Sequence, residues 1–260
     1  SSNPAVVPEA NLLVSGTGTN RTLAITPLTN AFGTATIQLT ATDTAASNTT
    51  TFALTVRPVN DPPSFTLTTD QVVVAEDSFL TLNNFAINLS TGPANEFSQG
   101  LLFVLTTTNR AFFTAQPSIN SAGSLLLKSA PNVTGTNEVT VVLQDTGGTS
   151  LGGTNKSSAQ TFKVVVAPVN DSPALSITRT IVMIADSGTT NISFKVADID
   201  GEPEQITVAA TSSNPSLMPN SNIEFSGTGT NRTLSLTLLT NTFGTATITV
   251  TAADGSSARS

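Results

Sequence analysis

Acidic and amide side chains gather at a few places along this 260-residue chain. Two Asn-Asp pairs lie between prolines, Asn60 with Asp61 and Asn170 with Asp171. A third group has carboxylates on alternate residues, Asp198 and Asp200, within the segment DIDGEPE. Because alternate side chains of an extended loop face the same side, these two carboxylates can approach one cation. Carboxylate and amide oxygens are the ligands that Ca²⁺ prefers, so calcium binding is the chemistry that these residues indicate.

The residue types that the chain lacks exclude most other chemistry. There is no Cys, His, Trp or Tyr in the sequence. Their absence removes thiol and imidazole nucleophiles, the usual histidine base, and zinc or iron sites built on those side chains. Catalysis by a Ser–Lys pair or by two carboxylates stays open, but only 10% of the residues are charged. Because the acidic residues also lie in separate loops, we expect no enzymatic activity.

Charge and hydropathy narrow the range of partners. The net charge is −7 and the sequence pI is about 4.4, whereas a protein that binds nucleic acid needs a basic surface. No apolar run approaches the roughly 18 residues of a membrane-spanning helix. We therefore expect neither a nucleic-acid partner nor direct membrane insertion of this segment.

An internal repeat is the strongest organising feature of the sequence, and repeats of this length indicate an array of modules. Residues 1–43 recur without a gap at 212–254, and 28 of the 43 aligned positions are identical. A second repeat, RPVNDPPSF at 57–65, recurs as APVNDSPAL at 167–175. Proline on both sides of Asn-Asp disfavours a helix, so these two segments are interpreted as stiff linkers.

The linkers divide the chain into three modules of two types. We predict the C-terminal part of a type A module at 1–59, a complete type B module at 60–169, and a type A module without its last strand at 170–260. Short alternating segments such as FALTV and FKVVV, separated by Gly, Asn, Pro and Ser, indicate strands throughout. The predicted fold class is all-β, with tandem Greek-key β-sandwiches and two incomplete end modules. We expect Phe52, Phe103, Phe162 and Phe194 to lie in the cores.

Specific motifs carry a resemblance to a known repeat family. The type B module contains a GPANE loop, a D-x-GG…GG loop and a closing V-N-D-x-P linker, and type A contains SGTGTNRTL and an FGTATI strand. The chain resembles the tandem cadherin-like and Ig-like repeats of large bacterial surface proteins. That resemblance implies seven-stranded Greek-key sandwiches of about 100 residues, strung in stalks, adhesins or extracellular filaments, with calcium at some junctions.

The fold implied by the resemblance places the acidic loops near the linkers. At the 169–170 junction the predicted calcium ligands come from the linker, the DIDGEPE loop and the loop that follows the sixth strand, with two more residues from the AED turn of the type B module. They are Asn170, Asp171, Asp198, Asp200, Glu202, Asp254, Glu76 and Asp77. Carboxylates converging without a basic partner repel one another unless a cation neutralises them.

The 59–60 junction offers a smaller set of oxygen ligands, namely Asn60, Asp61, Glu96 and Asp145. An alternative explanation applies at both junctions. Asn and Asp beside proline stabilise turns through side-chain to backbone hydrogen bonds without any metal. The sequence leaves both alternatives open.

The functional hypothesis is a structural or adhesive segment of a long extracellular repeat protein, forming a calcium-braced rod, stalk or filament. Its expected partners are other modules of the same chain, neighbouring copies, and cell-surface glycans or proteins. Two alternatives remain. A carbohydrate-binding accessory module of a secreted hydrolase is one, although such sites usually present Trp or Tyr, and the chain has neither. The other is a self-assembling filament subunit in which an incomplete module accepts a strand from a neighbour; a window on a longer repetitive chain also explains the incomplete ends.

Overall fold

The computed structural model describes residues 1–177 and 180–255, which divide between two compact units, Ser1–Ala167 and Pro168–Ser260. The described residues form nineteen strands and six 3₁₀ turns, so the all-β prediction is confirmed. The turns are Glu9–Asn11, Ala94–Glu96, Arg110–Phe112, Ser150–Gly152, Pro203–Gln205 and Asn220–Asn222. No helix in the described ranges has the length and apolar character needed to cross a bilayer.

The first 59 residues contribute two separate strand pairs to the first unit. The strands are β1 (Leu12–Ser15), β2 (Thr22–Ile25), β3 (Gly33–Thr42) and β4 (Ser47–Val56). β1 pairs with β2, and β3 pairs with β4 over ten residue pairs from Gly33↔Val56 to Thr42↔Ser47. Alternation places Ala35 and Ile37 of β3 in a small buried core.

The rest of the first unit is a complete sandwich. Its strands are β5 (Ser64–Leu67), β6 (Gln71–Ala75), β7 (Phe79–Leu82), β8 (Ala86–Ser90), β9 (Leu101–Thr107), β10 (Phe113–Ile119), β11 (Leu125–Ser129), β12 (Gly135–Asp145) and β13 (Gln160–Ala167). One sheet has the order β10-β11-β7 and the other β6-β13-β12-β9, and β5 pairs with β8. This crossed strand order is the Greek-key arrangement of Ig-like sandwiches.

The core of this sandwich follows from the two-residue period of its strands. Val139, Val141 and Leu143 alternate along β12 and are fully buried, while the residues between them face outward or lie half-buried. The rings of Phe85 and Phe162 meet at a centroid distance of 4.8 Å between the sheets. Burying one face of each strand in this way is the main stabilising contribution in a sandwich.

The second unit contains six strands of the same kind. They are β14 (Ala174–Ser176), β15 (Thr189–Ala197), β16 (Thr207–Ser212), β17 (Ile223–Ser226), β18 (Asn231–Thr237) and β19 (Ile248–Ala253). One sheet has the order β14-β15-β18-β17, and β16 pairs with β19 in the other. Among the described residues of this unit, no strand lies on the other edge of β19.

Residues 181–185 follow β14 in the second unit as β6 follows β5 in the first. β6 pairs in parallel with β13, and its Val72 and Val74 are buried. In the second unit, Val182 is 89% exposed and Ile184 is 76% exposed, and the segment is not assigned to a strand. In the first unit, β13 lies between β6 and β12 and covers both edges. The second unit has no described strand between the 181–185 segment and β19.

Three of the four Phe residues expected in the cores are confirmed there, since Phe103, Phe162 and Phe194 are buried. The prediction for Phe52 was wrong, because its side chain is 39% exposed. Phe52 lies on β4, whose sheet within the described residues has only two strands. Without a full opposing sheet, one face of β4 stays in contact with solvent.

Candidate functional site

The linker residue Asn60 connects three loops at one end of the complete sandwich. Its side-chain Nδ2 donates to Oδ1 of Asp145 at 3.0 Å and to the carbonyl of Thr154 at 2.8 Å. Its side-chain Oδ1 accepts a hydrogen bond from Nε2 of Gln99 at 2.7 Å. The backbone carbonyl of Asn60 also accepts from the N–H of Thr154 at 2.9 Å. The side-chain amide of Asn60 thus uses both its donor and its acceptor groups inside the protein.

Two glycines make room for Asn60. A Cβ on Gly147 would lie 1.7 Å from Oδ1 of Asn60, and a Cβ on Gly153 would lie 3.0 Å from its Cβ and backbone nitrogen. No side chain fits at the first distance without displacing Asn60. The glycines of the D-x-GG…GG motif are therefore explained at these two positions by the close approach of the linker.

The neighbouring residue Asp61 is held by its backbone. Its N–H donates to both carboxylate oxygens of Glu96, at 3.1 and 3.3 Å. Glu96 is only 5% exposed, and its Oε2 lies 2.4 Å from the position that a Cβ on Gly92 would take. The Gly and Glu of the GPANE motif thus form a socket for the linker backbone, a role that the sequence analysis did not assign to them.

The second unit repeats the arrangement with different residues. Nδ2 of Asn170 donates to Oδ2 of Asp254 at 2.7 Å and to the carbonyl of Asp171 at 2.9 Å. The N–H of Asp171 donates to Oδ2 of Asp200 at 2.6 Å. Oδ1 of Asp198 in turn accepts from the N–H of Asp200 at 2.9 Å, which orders the DIDG turn.

We call each of these groups a linker clamp. The first clamp consists of Asn60, Asp61, Glu96, Gln99, Asp145 and Thr154, and the second of Asn170, Asp171, Asp198, Asp200 and Asp254. In both clamps the linker Asn amide binds an Asp at the end of β12 or directly after β19. The linker Asp N–H binds a carboxylate in the loop that precedes β9 or β16. In each unit, therefore, linker residues form hydrogen bonds with acidic residues of the loops.

The carboxylates of the clamps face N–H donors, which reduces the charge repulsion that favoured a cation in the sequence analysis. Among residues 1–177 and 180–255, no three acidic side chains are grouped so that they could hold a metal ion. Within the two clamps, three buried side-chain oxygens nevertheless lack a hydrogen-bond partner, Oδ2 of Asp145, Oε1 of Gln99 and Oδ2 of Asp198. Orphaned buried oxygens are suitable cation ligands, because burial without a partner is costly.

The remaining predicted ligands are Glu76, Asp77 and Glu202. Glu76 is buried, and its backbone N–H donates to the carbonyl of Ala167. Asp77 follows on the surface with a left-handed backbone, at φ 60°. Glu202 is exposed in the second unit, and its carbonyl accepts from the N–H of Gln205.

An arginine in each SGTGTNR segment holds a loop. The guanidinium of Arg21 donates to the carbonyl of Gly16. Arg232 donates from Nε to the carbonyl of Gly229 at 2.8 Å and from an Nη atom to the carbonyl of Pro203 at 2.8 Å. These guanidinium groups therefore stabilise the backbone of the SGTGTNR segments.

The second unit also contains an open apolar groove with a volume of about 820 Å³. Its lining includes Ile181, Met183 and Ala185, residues 242–248, and Leu234 and Leu236 of β18. The lining side chains are almost all apolar, including Ile181, Met183, Leu234, Leu236, Ile248 and Val250. This groove is the space that the β13 counterpart fills in the complete sandwich.

Comparisons with known proteins give structural likenesses alone, since no protein-family model and no curated protein matches the chain. Mouse protocadherin-24 EC1-3 is 12% identical over 96% of this chain and 89% of that chain, with a TM-score of 0.44. Human protocadherin-24 EC1-2 is 18% identical over 74% and 94%, with a TM-score of 0.39. Domains 4-9 of the surface layer protein SbsC are 14% identical over 95% and 35%, with a TM-score of 0.30. Likenesses this distant carry no argument about what the chain binds.

Proposed function

We propose that this chain is a structural segment of an extracellular repeat protein, in which β-sandwich modules serve as spacers in a rod, stalk or filament. The observation that carries the proposal is the linker clamp, which occurs twice with the same connections. A linker fixed to the module that follows it bends less than a free peptide, and limited bending is what a spacer requires.

The proposed role is mechanical rather than catalytic. The buried polar groups of the complete sandwich hold turns and the linker, for example Ser129, whose hydroxyl donates to the carbonyl of Ala75 at 2.9 Å. The partners in this proposal are other modules of the same chain and neighbouring copies, with cell-surface glycans or proteins as the targets of an adhesive segment.

Replacing Asn60 by Asp tests the mechanical role. The substitution keeps the size of the side chain but removes the amide donor and places a second carboxylate 3.0 Å from Asp145. We expect the linker to detach, which faster amide hydrogen exchange at 58–62 and a broader distance distribution in small-angle scattering would show. Asn95→Asp, which adds the same charge at an exposed residue of the GPANE loop, is the matched control. Unchanged exchange and scattering in Asn60→Asp would contradict the proposal.

Calcium bracing is the second part of the proposal. The residues that would hold the ion are those with buried, unpartnered oxygens, Asp145 with Gln99 in the first clamp and Asp198 in the second. A cation there would supply charge neutralisation between loop and linker. Because each clamp already contains N–H donors, calcium would add to the hydrogen bonds and not replace them.

Calorimetric titration with calcium chloride tests this part directly. We expect binding in the millimolar range or tighter, as for extracellular modules, and weaker binding in Asp145→Asn and Asp198→Asn. Glu224→Gln removes an exposed carboxylate on β17, which is not among the predicted calcium ligands, and is the control. Absence of heat and of any rise in melting temperature at about 10 millimolar calcium, ten times the weak limit for such modules, would remove calcium and leave the hydrogen-bonded clamps intact.

A further inference from the structure

β9 is an edge strand of the complete sandwich, and its outer edge is open. It pairs with β12 over seven consecutive residue pairs, from Leu101↔Asp145 to Thr107↔Val139. No strand in the described ranges pairs with its other edge. Because all strands of this sandwich belong to the described residues, the open edge is a property of the complete sandwich.

β9 lacks the features that protect an exposed strand edge. Natural sheets interrupt such edges with proline, charged side chains or bulges, which prevent a further strand from adding. β10, the edge strand of the opposite sheet, contains Pro117 and two register shifts against β11. β9 has the sequence LLFVLTT, without proline, glycine or a charged residue, and its register with β12 has no shift. Its open edge is therefore suited to main-chain pairing with another strand.

The hydrogen bonds on the paired edge of β9 identify the backbone groups that face the open edge. The N–H of Thr108, directly after β9, donates to the carbonyl of Glu138 on β12 at 3.0 Å. Successive residues of an antiparallel strand direct their N–H and C=O groups to alternate edges, so the even-numbered residues 102–108 bond to β12. The backbone groups of the odd-numbered residues therefore face the open edge, and these residues are Leu101, Phe103, Leu105 and Thr107.

These four residues can all pair with their own copies in one antiparallel register. When two identical strands are centred on Val104, Leu101 lies opposite Thr107 and Phe103 lies opposite Leu105. Every backbone group that faces the open edge then has a hydrogen-bonded partner. A shift of the centre by one residue would place one of the four opposite a residue outside β9. In the centred register Val104 faces its own copy as a non-hydrogen-bonded pair, with a Cα separation of about 4.5 Å.

The side chains on the solvent face of β9 are apolar around this centre. Leu102 is 65% exposed and Val104 is 42% exposed, and Val142, opposite Val104 on β12, is half-buried. In the second unit β16 pairs with β19 as β9 pairs with β12, but small or polar side chains face outward there, such as Ala209 and Thr211. The fold therefore does not require apolar residues at this position. Joining the apolar faces of two copies would remove them from water, which is favourable.

Charge favours a second copy as the partner of this edge. The net charge of the chain is −7, so two copies repel each other wherever acidic surfaces meet. β9 has no charged residue. On the solvent face of its sheet, the strands present one acidic and one basic side chain, Glu138 and Lys163, which lie directly opposite each other. Two copies can therefore approach through this face without like charges meeting at the centre, whereas a charged partner would find no counter-charge on β9.

We infer that two copies of the chain pair side by side through β9, antiparallel about a two-fold axis at Val104. The inference rests on the proposed structural role and names the partner of the spacer, a neighbouring copy. The contact is isologous, so it closes as a pair and joins two four-stranded sheets into one continuous sheet. A single edge strand supplies less than the roughly 800 Å² per partner of a standard interface, so the pairing is weak.

A single cysteine tests both the pairing and its register. The natural chain has no cysteine, so Val104→Cys introduces one thiol, which would meet the thiol of the second copy at the axis. Directly opposed residues of a non-hydrogen-bonded pair lie at a Cα distance that a disulfide can span. Leu102→Cys is the register control, because its thiol and that of the second copy would lie four residues, or about 13 Å, apart along the strands.

The two variants are oxidised under identical conditions, and the rate of disulfide dimer formation is measured on a non-reducing gel. Leu102 is more exposed than Val104, so random collision would favour dimers of Leu102→Cys. We expect Val104→Cys to form dimers about tenfold faster, because pairing raises the effective concentration of one thiol beside the other. Equal rates, or faster dimer formation by Leu102→Cys, would overturn the inference.

Sedimentation of the full chain without cysteines gives an independent measurement, at concentrations up to about 1 mM because the contact is weak. We expect association that Val104→Lys weakens about tenfold or more, since two like charges would face each other at the axis. Val73→Lys adds the same charge at an exposed valine on β6, the other edge strand of the same sheet, and is expected to preserve association. A chain that stays monomeric throughout, or equal weakening by the two variants, overturns the inference. Amide exchange at 58–62 in the same samples reports separately whether the linker clamps and the proposed function survive.

Discussion

The side-chain amide of Asn60 donates to the carboxylate of Asp145 at 3.0 Å, although 85 residues separate them in the sequence. The contact joins the residue at which the chain enters the sandwich to the end of β12. Asn170 and Asp254 make the same contact in the second unit at 2.7 Å. A short linker motif therefore depends on a partner that lies most of a module away in the sequence.

Removal of the Asn60 amide is expected to destabilise the complete sandwich more than removal of the Asn170 amide destabilises the second unit. Asn60→Ala removes one of the two donors to Oδ1 of Asp145 and the acceptor of the Gln99 amide, a loss of about 1–3 kcal/mol. Asn170 is exposed, so water replaces its bonds and Asn170→Ala should cost about 1 kcal/mol or less. Hydrogen exchange resolved by peptide measures the two units separately, and equal losses would contradict the prediction.

Space beside Asn60 should be as important as its hydrogen bonds. Gly147→Ala places a methyl group within bonding distance of Oδ1 of Asn60, so the linker has to move. We expect a loss of about 1–3 kcal/mol in urea unfolding. Gly100→Ala is the control, since its Cβ would meet only the Thr146 methyl at 3.4 Å. Similar losses in the two variants would argue against a close-packed clamp.

The turn between β3 and β4 should respond to acid through Asp43. The backbone N–H groups of Ala45 and then Ala46 donate to its carboxylate and lower the pKa of Asp43 from its ordinary value of 3.8. Because the pKa is lower in the folded state, the contribution of Asp43 to the turn is complete above the unfolded pKa and is lost as the pH falls through the folded pKa.

An NMR titration of the Asp43 carboxyl, followed together with the amide signals of Ala45 and Ala46, measures this effect. We expect all three signals to titrate together below the ordinary pKa of Asp. Asp43→Asn keeps an acceptor oxygen in the turn but cannot titrate, so it should remove the pH dependence of the two amide signals. Persistence of that dependence in Asp43→Asn would show that another group causes it.

The alternating core of the complete sandwich should tolerate little loss of volume. Phe162 is 1% exposed and packs on Phe85, so Phe162→Ala should cost about 3–5 kcal/mol. Phe79 lies in the same module but is exposed, and Phe79→Ala should cost much less. Thermal unfolding followed by circular dichroism compares the two. A small loss in Phe162→Ala would show that the sheets close over the cavity.

The strands could be predicted because they depend on local patterns. A period of two specifies which face of a strand is apolar, and proline beside Asn-Asp excludes a helix over 57–63. The meeting of the linker with the acidic loops followed from the implied sandwich topology. The roles of Gln99, Thr154 and Gly147 could not be predicted, because each depends on side-chain geometry across long sequence separations.

The hydrogen-bond donors of the acidic residues also depend on contacts across long sequence separations. Their sequence spacing favoured a cation, whereas the structure supplies N–H donors from Asn60, Asn170 and the linker backbone. Sequence spacing gives the positions of the carboxylates along the chain, but it does not show which N–H groups donate to them. Calcium therefore stays a prediction that depends on the remaining buried oxygens, such as Oδ2 of Asp198.

The sequence by itself determined the all-β class and the internal repeat, since strand periodicity acts over a few residues. Only the tertiary structure decided which loop residues hold each linker and which strand edges lie open. Those features depend on contacts between residues up to 95 positions apart, such as the bond from Gln160 to the carbonyl of Phe65. Phe52 and the 181–185 segment are exposed because an apolar strand is buried only where a neighbouring strand covers it, which the sequence alone does not show.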